Sequence, residues 1–464
     1  MQHRMQAGIT VVITKHPSRI QIMQPAFWKG YRMTKWCLIV LGLLVVLLQA
    51  AGRPAKADLA AYLAKPEPVY KWEKRGEMAV EGGTGYDLHL VSQTWQGNVW
   101  EHRLILFIPK ENRYPHLCTL YNTGGNGGAK DYDMIVAASK ATAGPFAILF
   151  NIPMQPLYGG KTEDALVVYT WQRFLVTGDE SWPLHFPMAK AVIKAMDALQ
   201  EFTKSAKLPS LDDFVITGAS KRGWTTWLVG ASKDPRVKGI APMVIDTLNL
   251  AAQIPNQLEA FGTASEQIAD YTATGMLDAL KTAPGQKLIK LEDPYSYRDI
   301  LTLPKLIILG TNDRYWAQNA LNIYWDGLKG PKWVIYNPNV GHNLGSAEEH
   351  LRVFATLGAF SQSIATRTSL PKPTWKYTKS GSGVELSVTS DTPIVSASLW
   401  QVTNGTQDFR DSKWAGTPIK SGKKGFKTYI DAPTQGYSAT YADLEYLVNG
   451  QSFHLTTQIE ILHK

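Results

Sequence analysis

The sequence predicts an α/β protein whose central sheet is mostly parallel and is covered by helices on both faces. Three observations support this: an early hairpin, a series of short apolar runs that alternate with helical patterns, and an alternating pattern near the end of the chain. Short, continuously apolar runs between helices are typical of parallel strands buried on both faces. The runs are Leu117–Asn122, Phe146–Ile152, Phe214–Gly218, Gly239–Ile245, Leu306–Gly310 and Trp333–Tyr336.

The hairpin precedes these runs. Leu88–Thr94 and Val99–Pro109 alternate apolar and polar residues and flank Gln96-Gly97-Asn98, which is a turn sequence. Two antiparallel strands followed by six parallel strands is the strand plan of the α/β-hydrolase fold, and we predict that fold here.

Two helices can be placed with defined starts. Pro187–Phe202 has apolar residues at steps of three and four, and Pro187 suits a first turn, where a missing N–H costs nothing. The last helix of the sheet domain is predicted to start at Ser346, because Glu349 follows three residues later in a capping-box pattern.

We predict a hydrolase domain over residues 58–368 and a second domain over 369–464. Residues 247–303 interrupt the strand pattern with helical sequence and are expected to form a helical cap over the carboxyl edge of the sheet. After Leu370-Pro371-Lys372-Pro373, which cannot continue a helix, alternating segments predict a C-terminal β-sandwich-like domain.

The first 57 residues have the parts of a secretory signal peptide. Met33-Thr34-Lys35 is followed by an apolar run from Trp36 to Leu48 and by an Ala55-Lys56-Ala57 end. The run is shorter than a membrane span, which favours a cleaved signal over a permanent anchor. Residues before Met33 are interpreted as an overcalled start, and the mature protein is expected to be exported, either periplasmic or secreted.

Charge and cysteine content narrow the functional classes. Residues 1–57 hold eight of the 48 basic residues and no acidic ones, so the remainder has 40 basic against 39 acidic residues. A near-neutral chain removes the main support for nucleic-acid binding. Membrane contact is expected only through an uncleaved signal segment. Without Cys37, Cys118 remains alone, so no intrachain disulfide is expected.

The most informative stretch is Asp213–Trp224, which contains Gly218-Ala-Ser220-Lys-Arg-Gly223. An apolar strand runs through this sequence directly into a helix, as at a nucleophile elbow, where a sharp turn exposes a serine hydroxyl. The second glycine is one position later than in Gly-x-Ser-x-Gly. A serine that merely caps a helix is the alternative interpretation of Ser220.

Two later strand ends supply the partners of a catalytic triad. Asp313 follows the fifth apolar run and His342 follows the sixth, whereas Ser220 follows the third. Taken singly, Asp313 could be a helix cap and His342 a surface residue. Together they give the Ser…Asp…His order of α/β-hydrolases. His342 would act as general base and Asp313 would orient it.

The oxyanion of a tetrahedral intermediate needs hydrogen-bond donors. We predict the backbone N–H of Lys221 as one donor and the glycine-rich run after the first parallel strand, at Gly124 and Gly125, as the other. A phosphate-binding loop is a weaker interpretation of that run, because neither nucleotide fingerprint fits its spacing.

Some roles remain open in the sequence. Asp246, after the fourth apolar run, is a rival to Asp313 as triad acid. Arg222, Arg314 and Trp316 are predicted to contact substrate, and the cations at Lys221, Arg222 and Arg314 would suit a carboxylate group. No metal-ligand spacing such as His-Glu-x-x-His occurs, so no metal or cofactor is expected.

The chain resembles the PhoPQ-activated pathogenicity-related proteins. The resemblance covers nearly all of the chain after the leader and is carried by Thr170-Trp171-Gln172, Thr177–Lys190, Thr217–Trp224, Ala241–Asp246 and Gly310–Trp316. It implies an exported α/β-hydrolase-like protein connected, by the family's name, with a two-component virulence response. It implies no substrate.

The sequence therefore predicts an exported serine hydrolase that cleaves an ester or amide in a small molecule or peptide through an acyl-enzyme on Ser220. Esterases and peptidases share this triad, so both remain open. The alternative is a catalytically silent hydrolase fold that acts in binding or in virulence or stress signalling, because fold and motif alone do not establish activity. The oligomeric state is not predicted.

Overall fold

A nine-stranded sheet organises the molecule. The computed structural model describes residues 58–464, and the predicted signal peptide at 1–57 lies outside them. The strands are β1 Lys71–Val80, β2 Gly83–Trp95, β3 Asn98–Pro109, β4 Leu117–Asn122, β5 Phe146–Leu149, β6 Asp213–Ala219, β7 Val237–Met243, β8 Lys305–Gly310 and β9 Lys332–Asn337.

The strand order is β1-β2-β3-β5-β4-β6-β7-β8-β9. Strands β4 to β9 pair in parallel. The antiparallel pairs are β1 with β2, β2 with β3, and β3 with β5. The first two parallel strands thus exchange places in space, and the chain has the α/β-hydrolase fold, which confirms the predicted class. Strand β1 was not predicted, because its side chains are mostly exposed and do not alternate between apolar and polar.

Helices cover the sheet on both faces. They are α1 Leu59–Leu63, α2 Ala129–Thr142, α3 Glu163–Thr177, α4 His185–Ser205, α5 Lys221–Ala231, α6 Leu250–Phe261, α7 Ala269–Ala273, α8 Met276–Ala279, α9 Ala283–Glu292 and α10 Ala347–Ala365. Helix α4 starts two residues before the predicted Pro187. At α10 the capping box is confirmed, since the Ser346 N–H donates to Glu349 Oε2 at 2.7 Å.

Helices α6 to α9 all lie in the insertion between β7 and β8. Short 3₁₀ turns at Glu266–Ile268 and Pro294–Tyr297 complete this segment. Asp293 fixes the start of α6, because its carboxylate accepts hydrogen bonds from the N–H groups of Asn249 and Leu250 at 3.2 and 2.8 Å. These hydrogen bonds join the end of the insertion, at Asp293, to its beginning, at Asn249 and Leu250.

The chain after α10 forms two antiparallel sheets. The first has the order β10-β11-β14; the second has the order β13-β12-β15-β16, with β17 also paired to β15. The strands are β10 Thr374–Ser380, β11 Gly383–Thr389, β12 Ser396–Asn404, β13 Ala415–Pro418, β14 Gly425–Ile430, β15 Tyr437–Val448, β16 Gln451–Thr456 and β17 Glu460–His463.

The C-terminal sheets share a hydrophobic core with the hydrolase sheet. Leu386 and Leu444 belong to the same cluster of buried side chains as Ile308 of β8, Ile335 of β9 and Phe360 of α10. Burial of apolar surface is the dominant stabilising term in folding. The two regions therefore depend on each other for stability.

Residues 58–464 contain no helix that is long and apolar enough to cross a membrane.

We predict that Leu444→Ala destabilises the protein and that Leu447→Ala does not. Both side chains lie on β15, but Leu444 is fully buried whereas Leu447 is 57% exposed. Loss of a buried leucine side chain costs about 2–5 kcal/mol, whereas an exposed substitution stays within about 0.5 kcal/mol. Urea unfolding followed by tryptophan fluorescence measures both. Equal losses would contradict the shared core.

Candidate active site

Ser220 lies on the turn between β6 and α5. Its φ is 58° and its ψ is −126°, a conformation that non-glycine residues seldom adopt. The turn is held by the Ser220 N–H, which donates to the Met243 carbonyl oxygen at 2.9 Å. Strained backbone of this kind concentrates at functional sites. The side chain is half-buried.

The glycines around Ser220 are required by close approach. A β-carbon at Gly218 would lie 2.4 Å from Asn122 Nδ2, and one at Gly223 would lie 2.7 Å from the Met243 carbonyl oxygen. Both distances are shorter than real contacts, so a side chain at either position would collide with a neighbouring element. The second glycine stands one position later than in Gly-x-Ser-x-Gly because position 223 is where α5 contacts the end of β7.

His342 and Asp313 form a hydrogen-bonded pair at the same edge of the sheet. His342 Nδ1 lies 2.7 Å from Asp313 Oδ2, and Asp313 Oδ1 accepts the N–H of Tyr315 at 2.9 Å. The Asp313 side chain is buried. His342 Nε2 is also buried and has no hydrogen-bond partner anywhere in residues 58–464, so it does not contact the Ser220 hydroxyl at bonding distance. Such contacts are often long in unliganded enzymes and tighten on binding.

Tyr315 packs on the imidazole. Its ring centroid lies 4.3 Å from that of His342, with 34° between the planes. The Tyr315 hydroxyl donates to Asp164 Oδ2 at 3.4 Å. Tyr315 therefore restricts His342 through its ring and Asp313 through its backbone. Sequence reasoning missed this residue, although it stands two positions after Asp313.

The C-terminal region supports the loop that carries Asp313. Asn312 Nδ2 donates to the carbonyl oxygen of Ser412 at 2.7 Å and to that of Arg410 at 3.1 Å. Asn339, in the loop before His342, accepts the Trp414 N–H at 2.7 Å through its Oδ1. The segment 408–414 thus fixes both loops of the Asp–His pair.

Asp246, the rival triad acid, is bound elsewhere. Its Oδ1 accepts the Tyr324 hydroxyl at 2.7 Å. Burial, with a further contribution from the nearby Asp313 charge, raises the pKa of Asp246 to about 7. The carboxylate that contacts His342 is that of Asp313.

A cavity opens beside Ser220, beneath the insertion. The space in it that the centre of a water molecule can reach is about 80 Å³, and its lining includes Ser220, Lys221, Trp316, helix α6 residues and helix α8 residues. Of the three predicted substrate contacts, Trp316 lines this cavity, whereas Arg222 and Arg314 do not.

The predicted cations are paired with carboxylates. Lys221 Nζ lies 3.2 Å from both Glu163 and Asp164, and Arg222 makes two 2.7 Å hydrogen bonds to Glu163. Burial opposes ionisation of Glu163, but its bonds to Arg222 lower its pKa to about 2. The positive charge expected from the sequence is therefore neutralised by acidic residues that the motif did not include.

Arg314 is paired in the same manner. It contacts Glu266 at 2.5 Å and Asp411 at 2.6 Å, and its side chain is 40% exposed. It joins the insertion to the C-terminal region on the outside of the site.

Of the predicted oxyanion donors, Lys221 follows Ser220 directly and Gly124 lies against the Arg222 side chain. Lys221 is the first residue of α5, where N–H groups have no partner within the helix. A β-carbon at Gly124 would lie 1.9 Å from Arg222 Nη2, so glycine is needed for the guanidinium to pack there. Gly125 is exposed, and neither glycine is among the residues that line the cavity.

A buried histidine–glutamate pair lies behind the cavity. His185 Nδ1 and Glu292 Oε2 are 2.5 Å apart, and both side chains are fully buried. Trp171 donates its indole N–H to Glu292 Oε2 at 3.0 Å, and Trp224 donates its own to the Glu292 carbonyl oxygen at 2.6 Å. Sequence reasoning missed this pair, because its members are 107 positions apart.

The strand order, the serine at a strand-to-helix turn and the adjacent Asp–His pair define an α/β-hydrolase-fold protein. Within that class, residues 59–410 match the family described as PhoPQ-activated pathogenicity-related protein. The chain belongs to this family.

A relative along most of the chain is also known. Autocrine proliferation repressor protein A of Dictyostelium discoideum is 30% identical over 443 residues, which cover 87% of this chain and 89% of that protein.

Solved structures share the fold at low identity. Acetyl xylan esterase 1 from Thermoanaerobacterium sp. is 15% identical with a TM-score of 0.46, covering 68% of this chain and 95% of that chain. An S-formylglutathione hydrolase from Agrobacterium tumefaciens is 14% identical with a TM-score of 0.39, covering 64% and 100%. Likeness at this level says nothing about the activity of this chain.

We predict that Asp246→Asn removes part of the pH dependence of stability. Because the folded state raises the pKa of Asp246 from 3.8 to about 7, folding favours the protonated acid. The contribution of this group to stability is therefore fully present below about pH 4 and is lost as the pH rises towards 7, by roughly 4 kcal/mol. Denaturant unfolding between pH 4 and 8 measures the slope.

Asparagine can still accept the Tyr324 hydroxyl, so the variant should fold and lack this slope. Asp299→Asn, at an exposed position, is the matched control and should keep it. Parallel profiles for wild type and Asp246→Asn would contradict the prediction.

Proposed function

We propose that this protein is a serine hydrolase that cleaves an ester or amide bond through an acyl-enzyme on Ser220. One observation carries the proposal: the 2.7 Å pair between His342 Nδ1 and Asp313 leaves His342 Nε2 buried and unbonded among the described residues, at the sheet edge that presents Ser220. The Ser…Asp…His order along the chain is that of α/β-hydrolases.

Each residue has a distinct chemical role in the proposed reaction. His342 Nε2 takes the proton of the Ser220 hydroxyl as its oxygen bonds to the substrate carbonyl carbon. The tetrahedral intermediate then collapses, the bond to the leaving group breaks, and imidazolium returns the proton to the departing alcohol or amine. Water repeats these steps on the acyl-enzyme and releases the acid.

Asp313 is proposed to set the tautomer of His342. A carboxylate at Nδ1 keeps the proton there and leaves Nε2 as the base, and it also stabilises the imidazolium that forms. The Tyr315 ring, 4.3 Å from the imidazole, keeps the plane in place during both proton transfers.

The negative oxygen of the intermediate is proposed to accept the Lys221 N–H. That group lies at the start of α5, where the helix dipole also favours negative charge. A second donor would come from the backbone of the loop at Gly124 and Gly125, which the Arg222–Glu163 pair supports from behind. Two such donors are the usual complement of an oxyanion hole.

The site of action is proposed to lie outside the cytoplasm, in the periplasm or medium. The signal-peptide pattern at residues 33–57 supports this.

A second candidate function is extracellular signalling without catalysis. It is favoured by the relative from Dictyostelium discoideum, whose name describes an autocrine repressor of proliferation and which aligns with most of this chain. In that case the fold would serve as a binding scaffold.

We predict that a fluorophosphonate probe labels the folded mature protein on Ser220 alone. The reason is that the probe reacts with serines whose proton is removed by an adjacent base. Labelling should vanish in Ser220→Ala and slow about 10⁴-fold in Asp313→Asn. Peptide mass spectrometry and time courses measure these results.

Asp246→Asn is the matched control for Asp313→Asn and should label at the wild-type rate. Loss of labelling in Asp246→Asn but not in Asp313→Asn would reverse the assignment of the acid. A folded wild type that shows no adduct would overturn the hydrolase proposal and favour the second candidate.

The second candidate has its own test. Purified wild-type protein and Ser220→Ala are added at equal concentration to cultures of the producing cells, and growth is followed. An enzyme should lose its effect with Ser220, because the acyl-enzyme cannot form. Equal effects of the two proteins on growth would favour non-catalytic signalling.

A further inference from the structure

We propose that the cavity beside Ser220 is an acyl pocket for esters whose acyl group is uncharged, apolar and several carbons long. This inference deepens the proposed function and rests on it. It concerns the part of the substrate that stays on Ser220 after the leaving group departs.

The wall of the cavity is mainly apolar and comes largely from the insertion. Helix α6, helix α8 and the segments beside them contribute aliphatic side chains that remain partly exposed in the cavity. These side chains are Leu250, Ile254, Leu258, Ile268 and Leu277. Pockets lined by apolar side chains with few convergent polar groups are typical of small-molecule sites. An apolar ligand would cover surface that is otherwise hydrated.

Two amides in the wall are already used by the protein. Gln253 Nε2 donates to the carbonyl oxygens of Leu248 and Ala320 at 3.1 and 3.0 Å. Gln257 Nε2 donates to the Tyr315 carbonyl oxygen at 2.8 Å, and its Oε1 accepts the Ser265 N–H at 2.9 Å. The amide N–H groups of both residues and the Gln257 oxygen are thus directed into the backbone, so these groups shape the wall.

Two tryptophans expose only the carbon atoms of their rings to the cavity, because their indole N–H groups donate hydrogen bonds to the buried Glu292. Trp171 and Trp224 line the cavity, and both indole N–H groups donate to Glu292, through its side chain and its backbone. A buried carboxylate is costly unless it is paired and hydrogen-bonded, and His185 supplies that pairing. The His185–Glu292 pair thus fixes the rings of Trp171 and Trp224, whose faces form apolar surface in the cavity.

The charges in the wall disfavour an anionic acyl group. Lys221 contributes a cation, but its Nζ is shared between Asp164 and Glu163 at 3.2 Å each. Asp164 itself lines the cavity and accepts the Tyr271 hydroxyl at 3.1 Å. A second carboxylate placed here would face Asp164 without a free cation among the lining residues, which raises its desolvation cost.

The first experiment compares p-nitrophenyl acetate, butyrate and hexanoate as substrates of the mature protein. Because each methylene leaves water for an apolar wall, kcat/KM should rise about threefold to fourfold per CH₂. The glutarate monoester, whose acyl group ends in a carboxylate, should react at least about tenfold more slowly than the hexanoate ester. A flat series, or faster reaction of the glutarate monoester, would overturn the inference.

A variant that fills the cavity tests its location. Leu277→Trp should lower kcat/KM for hexanoate about tenfold more than it lowers kcat/KM for acetate, because the longer chain contacts more of the wall. Leu447→Trp, at a 57% exposed position on β15, is the matched control and should change neither. Equal loss for both esters in Leu277→Trp would place the acyl chain elsewhere.

Binding to Ser220→Ala separates this inference from the proposed function. Calorimetry should give about 100-fold tighter binding of methyl hexanoate than of methyl acetate, since four methylenes are added. If this difference appears but no fluorophosphonate adduct forms on wild type, the hydrolase proposal fails and the apolar pocket stands. If Ser220 is labelled but binding and kinetics are independent of chain length, the pocket assignment fails alone.

Discussion

The site depends on how closely the backbone of β6 and α5 can approach its neighbours. At Gly218 and Gly223 no space exists for a β-carbon, and between these glycines Ser220 takes a φ of 58°. The same approach brings Arg222 over Gly124, which ties the glycine-rich loop to the helix. A side chain at Gly218 or Gly223 would meet backbone and shift the serine and the helix start together, because packed interiors transmit strain.

Charge in this region is balanced locally. Glu163 and Asp164 open helix α3 and meet Lys221 and Arg222, so two acidic and two basic groups stand together, and of these Asp164 and Lys221 line the cavity. Behind the cavity, Glu292 meets His185 with no exposure to solvent. Buried charges persist in proteins when they are paired and hydrogen-bonded. The charges at this edge are therefore paired and the cavity wall is mainly apolar, which is the basis of the proposed preference for neutral substrates.

The sequence was sufficient for the parts that depend on local pattern. Continuous apolar runs located the six parallel strands, and the strand-to-glycine sequence located the turn at Ser220. It was insufficient where partners are distant: Glu163 lies 59 positions from Arg222 and was not identified as the partner that neutralises it. The C-terminal region is predicted only as alternating segments, and apolar alternation does not reveal the break between β16 and β17.

The contacts of segment 408–414 have a consequence for the order in which the protein matures. Asn312, which precedes Asp313, is hydrogen-bonded to backbone about 100 positions further along the chain. Asn339, which precedes His342, is hydrogen-bonded to backbone about 75 positions further along. During synthesis or passage through a translocation channel, the N-terminal part emerges first. The elbow and the glycine-rich loop can therefore form while the Asp–His loops still lack their support. Under the proposed mechanism, the Asp–His pair gains this support only after nearly the whole chain has arrived, so the proposed export of an unfolded chain would delay reactivity until that point.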